Sequence, residues 1–147
     1  MYQSILAPLD GSKRAEAILP HVEQLALRYD AKVIFLQVIE QTMLFVNPES
    51  FEVERKAFQE KAQQAKIYLD ELKEIFGKKG IKAHTLTAHG PIVEGVIAAA
   101  EREKADLIAL ASHGRTGFGR VFYGSVAAGI LHCVDRPILL IRSRKSE

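Results

Sequence analysis

Residues 112–125, SHGRTGFGRVFYGS, hold four of the chain's ten glycines and two arginines, and they lead straight into a patterned apolar stretch. Glycines let backbone N–H groups come close to an anion with no side chain in the way, and a helix N-terminus adds unpaired donors and partial positive charge. Ser125, where the last helix should begin, offers an N–H and a hydroxyl, while Arg115 and Arg120 supply formal charge. Between Leu107 and Val134 there is no acidic residue to repel a phosphate. The same letters also suit a flexible connection between a strand and a helix, with its arginines turned to solvent. Glycine count alone leaves both readings open.

Established nucleotide signatures narrow the chemistry. There is no G-x-x-x-x-G-K-[ST], and the glycines run G-x-x-G-x-G, not the G-x-G-x-x-G order that follows the first strand of a dinucleotide-binding domain. No catalytic triad, convincing carboxylate pair or metal cluster is visible, so no catalytic or metal-ligating residue is assigned. His21, His84, His89 and His132 show no ligand spacing and read as surface or packing residues. His113 lies beside the loop, where it can bond backbone or touch phosphate. The Ser112 hydroxyl, and that of Thr116, can brace the loop.

A chain of 147 residues with 48% hydrophobic residues suits one domain, residues 1–147, with a single buried core. Twenty basic and 18 acidic side chains give a formal charge of +2, which does not favour nucleic acid as a partner. The lone Cys133 cannot form an internal disulfide and is expected to be a buried, inert thiol. The start MYQSILAPLD lacks a basic, then apolar, leader, and no run of about 18 apolar residues occurs to span a bilayer, so a cytoplasmic protein without membrane contact is expected.

The elements that must position the loop are legible as alternation. SILAPL, KVIFLQVI, IKAHTLTA, DLIALAS and PILLIRS read as five strands separated by helical periods, which builds βαβ units and a largely parallel sheet buried on both faces. The third run, with Lys82, His84 and threonines mixed in, reads as an edge. Ala15, Ile18, Leu19, Val22, Leu25 and Ala26 line one face of a first helix with Ser12 as N-cap, and Pro20 inside it predicts a kink. Phe58, Ala62, Ala65, Leu69, Leu72 and Phe76 mark a second helix stopped by Gly77. Gly90-Pro91 opens a third, with Ile92, Val93, Val96, Ile97 and Ala100 inward, and a fourth carries Val126, Ala127, Ile130, Leu131 and Val134. Met43 to Val46, four apolar residues in the long connection EQTMLFVNPESF, predict a flap folded on the domain, with a ligand lid or a subunit contact as the sharper readings.

In open parallel sheets ligands bind beyond the carboxyl ends of the strands, where the strand order reverses. The loops after the first and fourth strands, DGSK and SHGRTGFGR, flank one crevice if those strands are neighbours, and Asp10 then faces the glycine loop.

With SILAPLDGS, FLQVIE, DLIALASHGRTGFGRVFYGSVAAGIL and RPILLIR in place, the chain resembles the universal stress protein family over essentially its whole length. Members that bind nucleotide carry glycine, two residues, glycine, nine residues, glycine and then serine or threonine. Gly114, the nine residues Arg115 to Tyr123, Gly124 and Ser125 match, whereas Ala111 stands at the first glycine. That departure adds one methyl and removes no donor. The resemblance implies a Rossmann-like three-layer α/β/α sandwich with a five-stranded parallel sheet of order 3-2-1-4-5. It further implies an ATP or AMP site in which Pro8, Leu9 and Asp10 form one wall and Val38 meets adenine through its backbone. Gly114, Arg115, Gly124, Ser125 and Val126 would hold ribose and phosphates beside Ala111 and His113, and Mg2+ would accompany the phosphates. Asp10 could bond the nucleotide, orient a metal-bound water or cap the first helix.

Binding is better supported than catalysis, so an ATP-binding regulatory protein of the stress response is expected, with slow ATP hydrolysis as an alternative. An interaction module with an empty loop is the contrasting class, favoured by Ala111. A nucleotidyl-transferring enzyme is disfavoured because His113-Gly114 is not followed by a second histidine in an H-x-G-H pattern. In the implied strand order PILLIRS is an edge as apolar as an interior strand, which predicts antiparallel pairing of Ile138 to Ile141 with a second copy in a homodimer.

Overall fold

The computed structural model describes residues 1–40, 48–112 and 124–143. The five apolar runs form strands β1 (Ser4–Pro8), β2 (Lys32–Ile39), β3 (Ala83–His89), β4 (Leu107–Ser112) and β5 (Ile138–Arg142). Between them lie helices α1 (Leu19–Tyr29), α2 (Pro48–Lys78), α3 (Ile92–Arg102) and α4 (Ser125–Cys133). The strands pair in parallel in the order β3-β2-β1-β4-β5.

Side chains alternate across a strand, so each strand feeds two cores. Val33 and Phe35 of β2 face Val22 and Ala26 of α1 and Leu69, Leu72 and Phe76 of α2. Ile34 and Leu36 face Val96, Ala99 and Ala100 of α3 and Ala127 and Ile130 of α4. This is the expected three-layer sandwich. Polar β3 takes one edge, as its composition predicts, because only one of its backbone edges needs a partner strand.

Local chemistry corrects several expectations. Ala15–Ile18 form a separate 3-10 turn, and α1 starts at Leu19. Pro20 therefore sits in the first helical turn, where its missing N–H would have had no partner, and produces no interior kink. Ser12 caps the turn and not the helix: its Oγ accepts the Ala15 N–H at 3.1 Å. Helix α2 runs through Gly77 and is ended by Gly80 at φ 82°. There the Ile81 N–H bonds the Phe76 carbonyl and the Gly80 N–H bonds the Gly77 carbonyl, both at 3.0 Å, a Schellman arrangement that needs the left-handed residue at Gly80. Because α2 already begins at Pro48, the connection before it is shorter than expected, and Met43 to Val46 lie outside the described residues. The buried stripe of α4 is Ala127 and Ile130, so Leu131, a third of a turn further round, is exposed. Cys133 is exposed too, contrary to the buried thiol expected.

Two polar side chains lock strands in register. The Asp106 carboxylate accepts the Gln3 N–H at 2.8 Å and the Ser4 N–H at 3.2 Å, while its own N–H donates to the Ser4 carbonyl at 2.9 Å. This holds the start of β4 beside the start of β1. Arg136, just before β5, donates from Nη1 to the carbonyls of Ala100, in the last turn of α3, and of Ala105, in the segment between α3 and β4, each at 2.9 Å, and so ties the start of β5 to both.

Leu69 is fully buried in the first core, whereas Ile67 on the same helix is 54% exposed. Leu69→Ala should cost about 2–5 kcal/mol by loss of transfer energy and creation of a cavity. Ile67→Ala should stay within about 0.5 kcal/mol. Urea denaturation followed by circular dichroism checks the contrast.

Candidate functional site

The site begins with a proline. Odd-numbered residues of β1 turn their backbone edge to β2: the Lys32 N–H bonds the Gln3 carbonyl at 3.0 Å and the Leu9 N–H bonds the Leu36 carbonyl at 2.8 Å. Even-numbered residues therefore face β4, as the bond from Asp106 to the Ser4 carbonyl shows. Pro8 is one of these and has no N–H to give. The β1–β4 register pairs are Ile5↔Leu107 and Leu6↔Ile108, and beyond them the two strand ends separate.

A cavity of 110 Å³ lies in that separation. Pro8, Leu9 and Asp10 form one wall, Ala111 and Leu110 belong to β4, and Gly124, Val126 and Ala127 come from the start of α4. Gly124 caps α4 with φ 77° and ψ 156°, a left-handed backbone that an L side chain rarely adopts. Among the described residues no side chain caps this helix end, and its first intrahelical bond is donated by Ala128 to the Gly124 carbonyl at 3.0 Å. The N–H groups of Ser125, Val126 and Ala127 thus precede the helical ladder and are available to an acceptor. Ser125 is exposed at the helix start. His113, Gly114 and Arg115 lie outside the described residues.

Asp10 first shapes its own loop. Its Oδ1 accepts the Ser12 N–H at 2.9 Å and the Ser12 hydroxyl at 2.6 Å, and Ser12 in turn caps the 3-10 turn. The structural role expected of Asp10 at a helix start is thus exercised through Ser12. Ser112 is 1% exposed, and its Oγ has no partner among the described residues. Its carbonyl accepts the Ser143 N–H of the segment after β5 at 3.3 Å.

Asp10 and Ile92 also border a second, more polar cavity of 510 Å³ at the end of β2. Here Val38 is placed by strand alternation. The Leu36 carbonyl is taken by Leu9 on the β1 side, and the Ile39 carbonyl by the Gly90 N–H at 3.1 Å on the β3 side. Val38 therefore turns its backbone edge toward β1, but β1 has ended opposite Leu36, at Pro8. Among the described residues no strand pairs that edge, and Val38 lines the cavity there.

Helix α2 contributes Lys61, Gln64 and Tyr68 to this second cavity, a contribution the Ala-rich reading of α2 missed. The signal was present as polar residues recurring at steps of three and four beside the core stripe. The Tyr68 hydroxyl donates to the Glu16 carboxylate at 3.0 Å, which ties α2 to the 3-10 turn beside Asp10. Burial first, then this hydrogen bond and the charges of Glu16 and Asp10, hold the Tyr68 phenol well above its ordinary range. Arg14, unassigned from sequence, and Ser12, read there as a helix cap, line the smaller cavity.

Taken together, Pro8, Leu9, Asp10, Ala111, Gly124 and Val126 converge on one cavity, and Val38 on its neighbour across Asp10. Backbone donors lie at one end and a free strand edge at the other, an arrangement suited to an elongated ligand with an anionic end.

The chain is similar to universal stress protein MJ0531 of Methanocaldococcus jannaschii, at 30% identity across 100% of this chain and 86% of that protein. It is also similar to universal stress protein MJ0577 of that organism, at 27% identity across 99% of this chain and 98% of that protein. The solved structure of MJ0577 superposes with a TM-score of 0.83 at 28% identity, covering 99% of both chains. The universal stress protein of Archaeoglobus fulgidus in complex with dAMP shares the fold, with a TM-score of 0.63 at 17% identity over 96% of this chain and 98% of that one. The pattern of this family matches residues 1–142, and with sheet order, crevice and relatives in agreement the chain belongs to the universal stress protein family.

Proposed function

We propose that this protein binds an adenine nucleotide, ATP in the first instance, between the loops after β1 and β4, and acts as a dimeric regulator in the stress response rather than as an enzyme. The observation that carries the reading is Gly124, whose left-handed backbone opens the start of α4 toward the wall formed by Pro8, Leu9 and Asp10. Phosphates would take the N–H groups of Ser125 and Val126, with Gly114, Arg115 and His113 completing the cradle, and adenine would meet the free backbone edge of Val38. The Archaeoglobus fulgidus relative solved with dAMP supports adenine as the base. Ala111 sets a methyl in the cavity wall and keeps its backbone in the β4–β5 ladder, paired with Ile141, so it narrows the site without removing a donor.

Magnesium would arrive with the phosphates. Among the described residues no cluster of three or more His, Cys, Asp or Glu side chains could hold it alone. On this reading its ligands are phosphate oxygens and water, and Asp10 stands where it can orient such a water. The single cysteine supports a reducing cytoplasmic setting.

Native mass spectrometry of freshly purified protein should reveal a bound adenine nucleotide, and titration with Mg-ATP should saturate. Gly124→Val forces a β-branched residue into a left-handed backbone and should weaken binding at least about tenfold, or about 1.4 kcal/mol. Absence of nucleotide and of any titration signal in wild type would favour the interaction module with an empty loop. Phosphate release followed over hours in the same mixture tests slow hydrolysis.

The dimer reading rests on β5. The Ile108 N–H bonds the Pro137 carbonyl at 3.0 Å and the Ser143 N–H bonds the Ser112 carbonyl at 3.3 Å, so odd-numbered residues face β4. Ile138, Leu140 and Arg142 turn their backbone edges outward, on a strand whose Ile138 to Ile141 side chains are only half-buried. Antiparallel pairing with a second copy would satisfy them. Sedimentation at micromolar concentration should show a dimer, and Leu140→Pro, which deletes an outward donor without touching the β4 ladder, should shift it to monomer. A wild-type monomer would overturn this reading.

A further inference from the structure

Gly95 lies in the interior of α3, where glycine is a poorer helix former than alanine and needs a reason to be present. The reason is a close approach. A Cβ at Gly95 would stand 2.9 Å from both Cγ1 and Cγ2 of Val38 and 3.5 Å from its Cβ. Contacts that short do not persist, and rotating the valine gives no relief, because every staggered position leaves a methyl on that side. The strand or the helix would have to move. Five residues earlier, the Gly90 N–H bonds the carbonyl of Ile39, the residue next to Val38. Helix α3 and the turn that leads into it thus hold the end of β2 from two directions, by the Gly90 hydrogen bond at Ile39 and by the contact of Gly95 with Val38, and Ile92 of the same helix borders both cavities.

We propose that Gly95 is a positioning residue for the nucleotide: the side chain it lacks lets α3 seat β2 so that the free backbone edge of Val38 faces the crevice at the height a base requires. This rests on the nucleotide reading of the site. Gly95 touches no ligand itself. It acts through Val38, and its effect should therefore depend on the size of the residue at position 38.

The test is a double-mutant cycle on the full chain, with Mg-ATP titration, thermal unfolding and backbone amide NMR shifts as readouts. Gly95→Ala should weaken ATP binding at least about tenfold. It should also shift the amides of Val38 and Ile39 in the absence of nucleotide. In a Val38→Ala background, where the obstructing methyls are gone, adding Gly95→Ala should change affinity less than about threefold relative to Val38→Ala alone. Gly77→Ala, on α2 with nothing within 4 Å of the added carbon, serves as the helical glycine control and should leave affinity unchanged. Equal losses from Gly95→Ala in both backgrounds, or unchanged affinity and amide shifts in the folded single variant, would overturn the proposal. Should Gly95→Ala alone not fold, recovery of folding and ATP affinity in the double variant to the level of Val38→Ala supports it, and failure to recover overturns it. Wild type that binds no ATP overturns the nucleotide reading, an outcome recognisable before any substitution is made.

Discussion

The missing N–H of Pro8 is the constraint on which the crevice depends. Four residues into β1, on the side that faces β4, the chain has no donor to extend the ladder, and the two central strands part after Leu6 and Ile108. Parting is useful only because the strands are held together at their other ends. Asp106 clamps the starts of β1 and β4 through Gln3 and Ser4, so the pair opens at one end like a hinged fork. The carboxyl ends, which carry the loops, are the ends that diverge, and this is where a parallel sheet with reversed strand order leaves room for a ligand.

What fills the walls of that opening is backbone more than side chain. The start of α4 offers N–H groups, Val38 offers a strand edge left over when β1 stops, and Asp10 spends one carboxylate oxygen on the loop that carries it. A site made of backbone is only as accurate as the packing behind it. Here the packing is the second core, in which Val96, Ala99 and Ala127 keep α3 and α4 close to β2 and β4, and in which Gly95 of α3 and Gly129 of α4 admit Val38 and Val93 at distances no Cβ would allow. The larger cavity differs in kind: Lys61, Gln64 and Tyr68 give it a polar wall from α2, and the bond from Tyr68 to Glu16 links that wall to the loop of Asp10.

Patterns that repeat along the chain were legible without coordinates. Apolar runs in the right alternation produced all five strands, and the polar letters of Ala83–His89 marked an edge. Punctuation was less legible. Pro20 can kink a helix or begin one, and only the preceding 3-10 turn shows that it begins one. Gly77 and Gly80 are both able to stop α2, but the left-handed turn forms at whichever one lets Ile81 bond back to Phe76 while carrying its side chain into the core. Cys133 was misjudged because composition alone does not say which side of a short helix a residue takes.

The sequence by itself determined the class of fold and the loops that flank the crevice, through local periodicity and loop composition, while its resemblance to the universal stress protein family singled out Pro8, Leu9, Asp10, Val38, Ala111, Gly124 and Val126, which border the two cavities. Only the tertiary structure decided that Pro8 faces β4, that Val38 turns its backbone edge to the side where β1 has ended, that α2 supplies the polar wall and that Gly95 stands against Val38. Each of these is a relation between residues distant in the chain, set by strand register and by how closely two packed surfaces can approach, and no local pattern carries that information.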